Sequence, residues 1–250
     1  MDGHRIKTIE RSGEPALKVD GKSIVVTKQL TKIYGNGATR VAALKKVDLE
    51  VKEGEFVAVL GPSGSGKTTF LNMLGALDRP TGGRVVIDGV ETSKVPERDL
   101  YRIRREKLGF IFQTYYLVPT LTALQNVLMP VMPIDGGDKY SKRAARLLEL
   151  VGLKDRMRHK PNELSGGEQQ RVSIARALIM NPSIILADEP TGNLDAKTSV
   201  DIMDLMQRLN KERGKTLVVV THDHRIAESR ADRALYLIDG RLYDVPPDDF

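Results

Sequence analysis

The stretch Gly61-Pro62-Ser63-Gly64-Ser65-Gly66-Lys67-Thr68-Thr69 follows directly on the apolar run Phe56-Val57-Ala58-Val59-Leu60. An apolar run without alternation reads as a strand buried on both faces of an α/β sheet. The small residues that come next, Gly61-x-x-x-x-Gly66-Lys67-Thr68, have the spacing of a phosphate-binding loop in the strand-to-helix setting that such a loop needs. Glycine lets backbone amides turn inward around phosphate oxygens, and the following helix directs its positive end at them. Lys67 neutralises phosphate charge, and Thr68 offers a hydroxyl to Mg²⁺. A phosphate cradle alone does not tell a kinase from a GTPase or a motor.

Bulk properties bound the answer without deciding it. The chain has 250 residues with a formal net charge of +6, and the basic excess is spread through a sequence that is 29% charged. That balance favours solubility; it permits an acidic membrane surface without implying one, and no nucleic-acid partner is expected. Cysteine is absent, which excludes disulfides and thiolate metal sites and fits a reducing compartment. Residues 1–22 read as a polar N-terminal extension with no apolar core for secretion. No stretch approaches the apolar length needed to span a bilayer. A cytoplasmic protein is expected, one whose membrane role comes through a partner.

Residues 23–240 read as the folded domain and 241–250 as a short C-terminal tail. Residues 23–27 and 47–51 look like strands with one wet face, and 84–89 like a strand closed by an Asp-Gly turn. Thr122 and Gln125 have capping-box spacing and predict a helix start. Over 139–151, Ala144, Leu147, Leu148 and Val151 share a helical face that Gly152 ends. Residues from about 114 to 162 therefore read as a helical insertion, and with the stretch around Ser165 a helical subdomain runs to about 180. Buried strands return at 184–187 and 217–220, separated by a helix near Ala196–Arg213 with Ile202, Leu205, Met206 and Leu209 inward. Strand, helix, strand predicts a parallel sheet with right-handed crossovers, and a catalytic edge at its C-terminal ends.

The strand at 184–187 ends in two acids, Asp188 and Glu189. Asp188 suits Mg²⁺ and Glu189, just beyond the strand, suits polarising an attacking water. The stretch Leu164-Ser165-Gly166-Gly167-Glu168-Gln169-Gln170-Arg171 rejects most other phosphate-binding classes. Ser165 can cap a helix whose first turn holds two glycines, which makes a second anion site in the same chain. One nucleotide cannot fill both in a single subunit. Two copies arranged head to tail would let each offer this element to the phosphate held by the other.

With these motifs in hand, the sequence resembles the ATP-binding-cassette (ABC) ATPases over nearly everything from Ser23 to Gly240. GPSGSGKTT is similar to Walker A, LSGGEQQR to the signature motif and IILADE to Walker B. Gln113 matches the Q-loop glutamine, Asn193-Leu194-Asp195 the D-loop, and His222 the switch histidine. Tyr34 falls where an aromatic residue would stack on adenine, although packing between strands would equally explain it. The resemblance implies a P-loop NTPase α/β core with a parallel sheet, an antiparallel β subdomain and a helical signature-motif subdomain. It implies ATP bound by Tyr34, Gly61, Pro62, Ser63, Gly64, Ser65, Gly66, Lys67, Thr68 and Thr69. Ser165, Gly166, Gly167, Glu168 and Asp195 would contribute from across a dimer. Mg²⁺ would be met by Thr68, Gln113 and Asp188, and catalysis would fall to Glu189, His222 and Gln113. Asp195 could also do no more than cap the next helix.

Tyr115-Tyr116-Leu117-Val118-Pro119 places aromatic and apolar side chains beside Gln113, where transporters of this family receive a helix of the membrane subunit; packing within the chain's own core is the alternative. PTGNLD at 190–195 and NVLMPVM at 126–132 are similar to the lipoprotein-releasing, macrolide-export and cell-division subgroup. A homodimer with ATP, bound to an integral membrane permease on the cytoplasmic side of the membrane, is the resulting expectation. An importer subunit or a soluble cassette ATPase is the alternative. A long heptad insertion of the chromosome type is not found, and no Asn-Lys-x-Asp segment supports a GTPase.

Overall fold

A computed structural model describes residues 23–135 and 138–247; the polar extension at 1–22 lies outside the described residues. Two sheets organise the chain. The first is antiparallel, in the order β2-β1-β4-β5, from β1 (Ser23–Tyr34), β2 (Val41–Lys52), β4 (Gly82–Ile87) and β5 (Val90–Glu91). The second is built on β3 (Phe56–Leu60), β6 (Leu108–Phe112), β7 (Ile184–Asp188), β8 (Thr216–Thr221), β9 (Arg233–Ile238) and β10 (Arg241–Tyr243), in the order β10-β9-β3-β8-β7-β6. The pairs from β9 through β6 are parallel, and only β10 runs antiparallel.

Helices fill the connections: α1 (Lys67–Leu74), α2 (Glu97–Lys107), α3 (Ala123–Leu128), α4 (Met132–Asp135), α5 (Ser141–Leu150), α6 (Gly166–Ala177), α7 (Ala196–Arg213) and α8 (His224–Arg230). Their ends obey the local code. Thr122 Oγ1 accepts from the Gln125 amide at 3.2 Å while Gln125 Oε1 accepts from the Thr122 amide at 2.9 Å, a complete capping box for α3. Gly152 and Gly214 follow α5 and α7 at φ 79° and 61°, where a side chain would be strained. Among the described residues no helix is long and apolar enough to cross a membrane.

The period-2 geometry of the strands divides the core. Val57, Val59, Ile184, Leu186, Val218 and Val220 join α1 and the antiparallel sheet on one face. Ile185, Ala187, Leu217 and Val219 join α5, α6 and α7 on the other. Continuous apolar strands are what such double-sided burial requires. The same alternation continues to Asp188, which follows Ile184 and Leu186 onto the α1 face.

Two boundaries differ from the sequence reading. β1 and β2 are longer than their alternating cores and pair out to Tyr34 opposite Val41, through several register shifts. Gln29 and Lys46 take positive φ at 50° and 56°, and these irregularities interrupt the alternation that marks a strand. The supposed tail at 241–250 begins inside the sheet, because Arg241, Leu242 and Tyr243 pair with Ile238, Leu237 and Tyr236. Asp239 and Gly240, at φ 47° and 75°, form the tight turn. It is the same Asp-Gly signal that closes β4 onto β5 at Asp88 and Gly89.

Candidate functional site

Parallel register brings the loops to one edge. Phe112 pairs with Asp188, Asp188 with Val220, and Leu60 with Thr221. Gln113, Glu189, His222 and Gly61 each stand one residue beyond these strand ends or beside them, so four separated segments converge on the C-terminal edge of the sheet.

The phosphate-binding loop runs from Gly61 into α1, whose N-cap is Gly66 at φ 105°. A Cβ at Gly66 would stand 2.5 Å from the Ala43 carbonyl, and one at Gly61 would stand 2.2 Å from the Leu237 carbonyl. Both glycines are thus required by close backbone approach as well as by any ligand. The Lys67 ammonium donates to the Gly61 and Pro62 carbonyls at 2.7 and 2.8 Å, which fixes it in the mouth of the loop with one proton still to give. Ser65 Oγ is buried with no hydrogen-bond partner among the described residues, a group that a phosphate oxygen would satisfy. Pro62, Ser63 and Gly64 form the exposed rim, and Thr68 and Thr69 open α1.

Asp188 faces this helix. Burial raises its pKa above the ordinary aspartate value, with the neighbouring Glu189 charge acting in the same sense, while the Thr68 hydroxyl and Lys67 oppose it. A carboxylate desolvated in this way is one that gains by meeting a cation. Glu189 begins the turn after β7 in the left-handed region at φ 47°. Its amide donates to the Val220 carbonyl at 2.9 Å, and its Oε2 lies 2.9 Å from His222 Nδ1. The pair is asymmetric in exposure: the Glu189 side chain is 15% exposed and His222 is 70% exposed.

Gln113 is joined to the D-loop by a reciprocal pair. Its Nε2 donates to Asn193 Oδ1 at 3.2 Å, and Asn193 Nδ2 donates to the Gln113 carbonyl at 3.1 Å. Gly192 lies flat against that amide, where a Cβ would stand 2.8 Å from Gln113 Nε2. Tyr34 sits at the end of β1, 40% exposed. Its hydroxyl donates to Asp78 Oδ2 at 2.9 Å, and the Lys32 ammonium lies 4.8 Å from its ring centroid. Burial raises the pKa of Tyr34, and the bond to Asp78 adds to the effect. For Asp78 burial works against the charge, but Lys32, Tyr34 and the Arg79 amide outweigh it and lower the pKa. Tyr34 is therefore a fixed ring, anchored by its hydroxyl with part of its surface open.

Ser165 caps α6 as a full capping box. Its Oγ accepts from the Glu168 amide at 3.3 Å, and Glu168 Oε2 accepts from the Ser165 amide at 2.8 Å. That bond to the Ser165 amide is the main reason the Glu168 pKa is lowered, and Arg156 Nε stands 3.3 Å from its other oxygen. The Glu168 carboxylate thus closes its own helix end. Asp195 does cap α7, accepting from the Lys197 and Thr198 amides at 3.1 and 3.0 Å. It also receives the Thr198 hydroxyl at 2.6 Å, and this bond is the first cause of its lowered pKa. Thr198 in turn explains Gly167, where a Cβ would stand 2.3 Å from Thr198 Cγ2.

The family profile described as ABC transporter matches residues 44–192. The chain belongs to the ABC transporter family. It is 51% identical over 224 residues to the ABC transporter ATP-binding protein MJ0796 of Methanocaldococcus jannaschii, covering 88% of this chain and 95% of that protein. It is 49% identical over 221 residues to the lipoprotein-releasing system ATP-binding protein LolD of Legionella pneumophila, covering 88% and 97% of the two chains. A dimeric structure of MJ0796 in a post-hydrolysis state bound to ADP and Pi is 50% identical, with a TM-score of 0.80 over 88% of this chain and 96% of that one. The ABC cassette described here is accordingly an ATP-binding, ATP-hydrolysing chain with the architecture expected from its motifs.

Sequence reasoning passed over Gln170 and Arg176 of the cassette, both on α6. Gln170 is fully buried, and its Nε2 donates to the Pro190 carbonyl at 2.5 Å and to the Phe112 carbonyl at 3.4 Å. It ties the signature helix to the strand ends that carry Gln113 and Glu189. Its signal was present, since a long polar side chain at an inward position, four before Ile174, stands out among the small and apolar residues of that face.

Proposed function

We propose that the cassette works as a head-to-tail pair that closes on two ATP molecules and drives an integral membrane partner in export, lipoprotein release or mechanotransmission. The observation that carries this reading is the N-terminus of α6. Ser165, Gly166 and Gly167 form a second anion-binding helix end, and the side chains that press on its glycines are Tyr115, Leu194 and Thr198, none of them from the phosphate-binding loop. The dimeric MJ0796 structures and the lipoprotein-releasing LolD relatives support the same arrangement.

In this reading residues 61–69 hold the triphosphate and Tyr34 stacks on the base. Ser165, Gly166 and Gly167 of one copy meet the γ-phosphate held by the other. Glu168 acts by building the cap, and Asp195 by setting α7 against Gly167 beside the dimer seam. Glu189 accepts a proton from the attacking water, His222 orients that carboxylate, and Gln113 senses the same phosphate from the edge of the groove. A hydroxyl, a half-buried carboxylate and an amide oxygen from Thr68, Asp188 and Gln113 are a hard oxygen set that fits Mg²⁺. When bound, that ion neutralises phosphate charge as it develops. The exposed Tyr116, packed edge-on against the half-buried Phe112 beside Gln113, suits a cytoplasmic segment of the membrane partner, which would hold the cassette at the inner surface of the membrane.

The test is the assembly state of Glu189→Gln with saturating MgATP, followed by sedimentation. A stable dimer that dissociates when nucleotide is removed is expected. A variant that binds ATP and stays monomeric rejects the paired site.

A further inference from the structure

We propose that Arg176 is a positioning residue that locks the loop after Gln113 to the signature helix, so that both move as one body; the inference rests on the paired reading above. Arg176 lies in the last turn of α6, and its guanidinium spans two successive carbonyls, donating from Nη2 to Tyr115 O at 2.6 Å and from Nη1 to Tyr116 O. Nη2 also faces Ser173 Oγ at 3.4 Å. Burial lowers its pKa, and the hydrogen-bond acceptors it meets are these neutral oxygens. A half-buried guanidinium held by neutral oxygens is a poor way to gain stability, because desolvation is not offset by an opposite charge. Its planar fork, however, fixes two consecutive peptide groups at once, which an ammonium cannot do.

Those peptide groups are unusual. Tyr116 is a non-glycine residue at φ 47° and is 65% exposed, so the loop keeps a strained backbone while presenting an aromatic ring outward. The other end of the same helix touches the same loop: a Cβ on Gly166 would stand 3.0 Å from the Tyr115 hydroxyl. Gln170, midway along α6, reaches the Phe112 carbonyl. One helix therefore holds residues 112–116 at three heights. Whatever presses on Tyr116 must displace Ser165, Gly166 and Gly167 as well, and these are the groups offered to the neighbouring copy.

The test uses the full chain carrying Glu189→Gln, with Arg176→Gln and, as the milder change that keeps the stem and charge, Arg176→Lys. With Arg176 intact, MgATP should slow amide exchange at 114–118 and at 165–169 together. In either Arg176 variant the amides of 114–118 should exchange about tenfold faster and lose this response, those of β8 staying unchanged. MgATP affinity should stay within about twofold and the dimer dissociation constant should rise about tenfold, because only the second step needs the signature end in place. Exchange at 114–118 and dimerisation that match the parent in both variants would overturn the role of Arg176. A parent that never dimerises would instead reject the paired reading.

Discussion

His222 Nδ1 and Glu189 Oε2 are 2.9 Å apart, and the His222 amide faces the same oxygen at 3.3 Å. One carboxylate oxygen is thereby held from two directions by a residue 33 positions away. With Nδ1 directed at the carboxylate, Nε2 is the ring nitrogen left for a further partner on this 70% exposed side chain. The two residues act through one bond, so their losses should not add.

His222→Ala should lower the turnover rate by about 10- to 1000-fold through misplacement of Glu189, with a smaller change in ATP affinity. In a Glu189→Gln background the same substitution should add less than about threefold, because the oriented base is already gone. Steady-state ATPase assays on the four proteins complete the cycle. Fully multiplicative losses would separate the two roles.

Asp188→Asn should stabilise the ligand-free protein at neutral pH and abolish metal-dependent hydrolysis. The folded-state pKa of Asp188 is raised by burial, so the folded chain favours the protonated form. The strain of ionisation is absent below the unfolded-state value near 3.9 and grows as pH rises through the folded value. The gain in melting temperature over the parent should accordingly be largest at pH 7 to 8 and shrink toward about pH 4. A constant gain across that window would assign it to something other than this carboxyl.

Gly167→Ala should destabilise by about 1–3 kcal/mol, because the new methyl group overlaps Thr198 Cγ2. Adding Thr198→Ser removes that methyl and keeps the hydroxyl bond to Asp195, so the pair should recover most of the loss. Thermal melts and ATPase rates on the single and double variants test this. Failure of the serine to rescue would place the conflict elsewhere.

Tyr34 separates two effects by one atom. Tyr34→Phe loses the bond to Asp78 and should cost about 0.5–1.5 kcal/mol of stability while ATP affinity holds within about twofold. Tyr34→Ala removes the ring and should weaken ATP by about tenfold, a base-stacking effect. A fluorescent-nucleotide titration distinguishes them, and equal affinity in the alanine variant would leave Tyr34 as packing only.

What could be read from the chain itself was local chemistry. The double-sided apolar run of β3, the capping boxes at Thr122 and Ser165, the Gly214 stop of α7 and the small-residue turn at 61–69 each depend on neighbours within a few residues. Such features are written in propensity, period and backbone freedom. The separated motifs were legible as chemistry too, since an apolar strand ending in two acids keeps its meaning anywhere.

Tertiary structure decided which of these groups meet and what the glycines are for. Register alone sets Gln113, Glu189 and His222 along one edge. The close approach of Leu237 to Gly61, of Thr198 to Gly167 and of Gly192 to Gln113 has no local signature, because each partner comes from a distant segment. The same holds for Arg176, whose partners are carbonyls 60 and 61 residues away. Backbone carbonyls occur at every position, so a sequence cannot say which one an arginine will choose; only the packed fold, by setting which carbonyls lie within its reach, selects it.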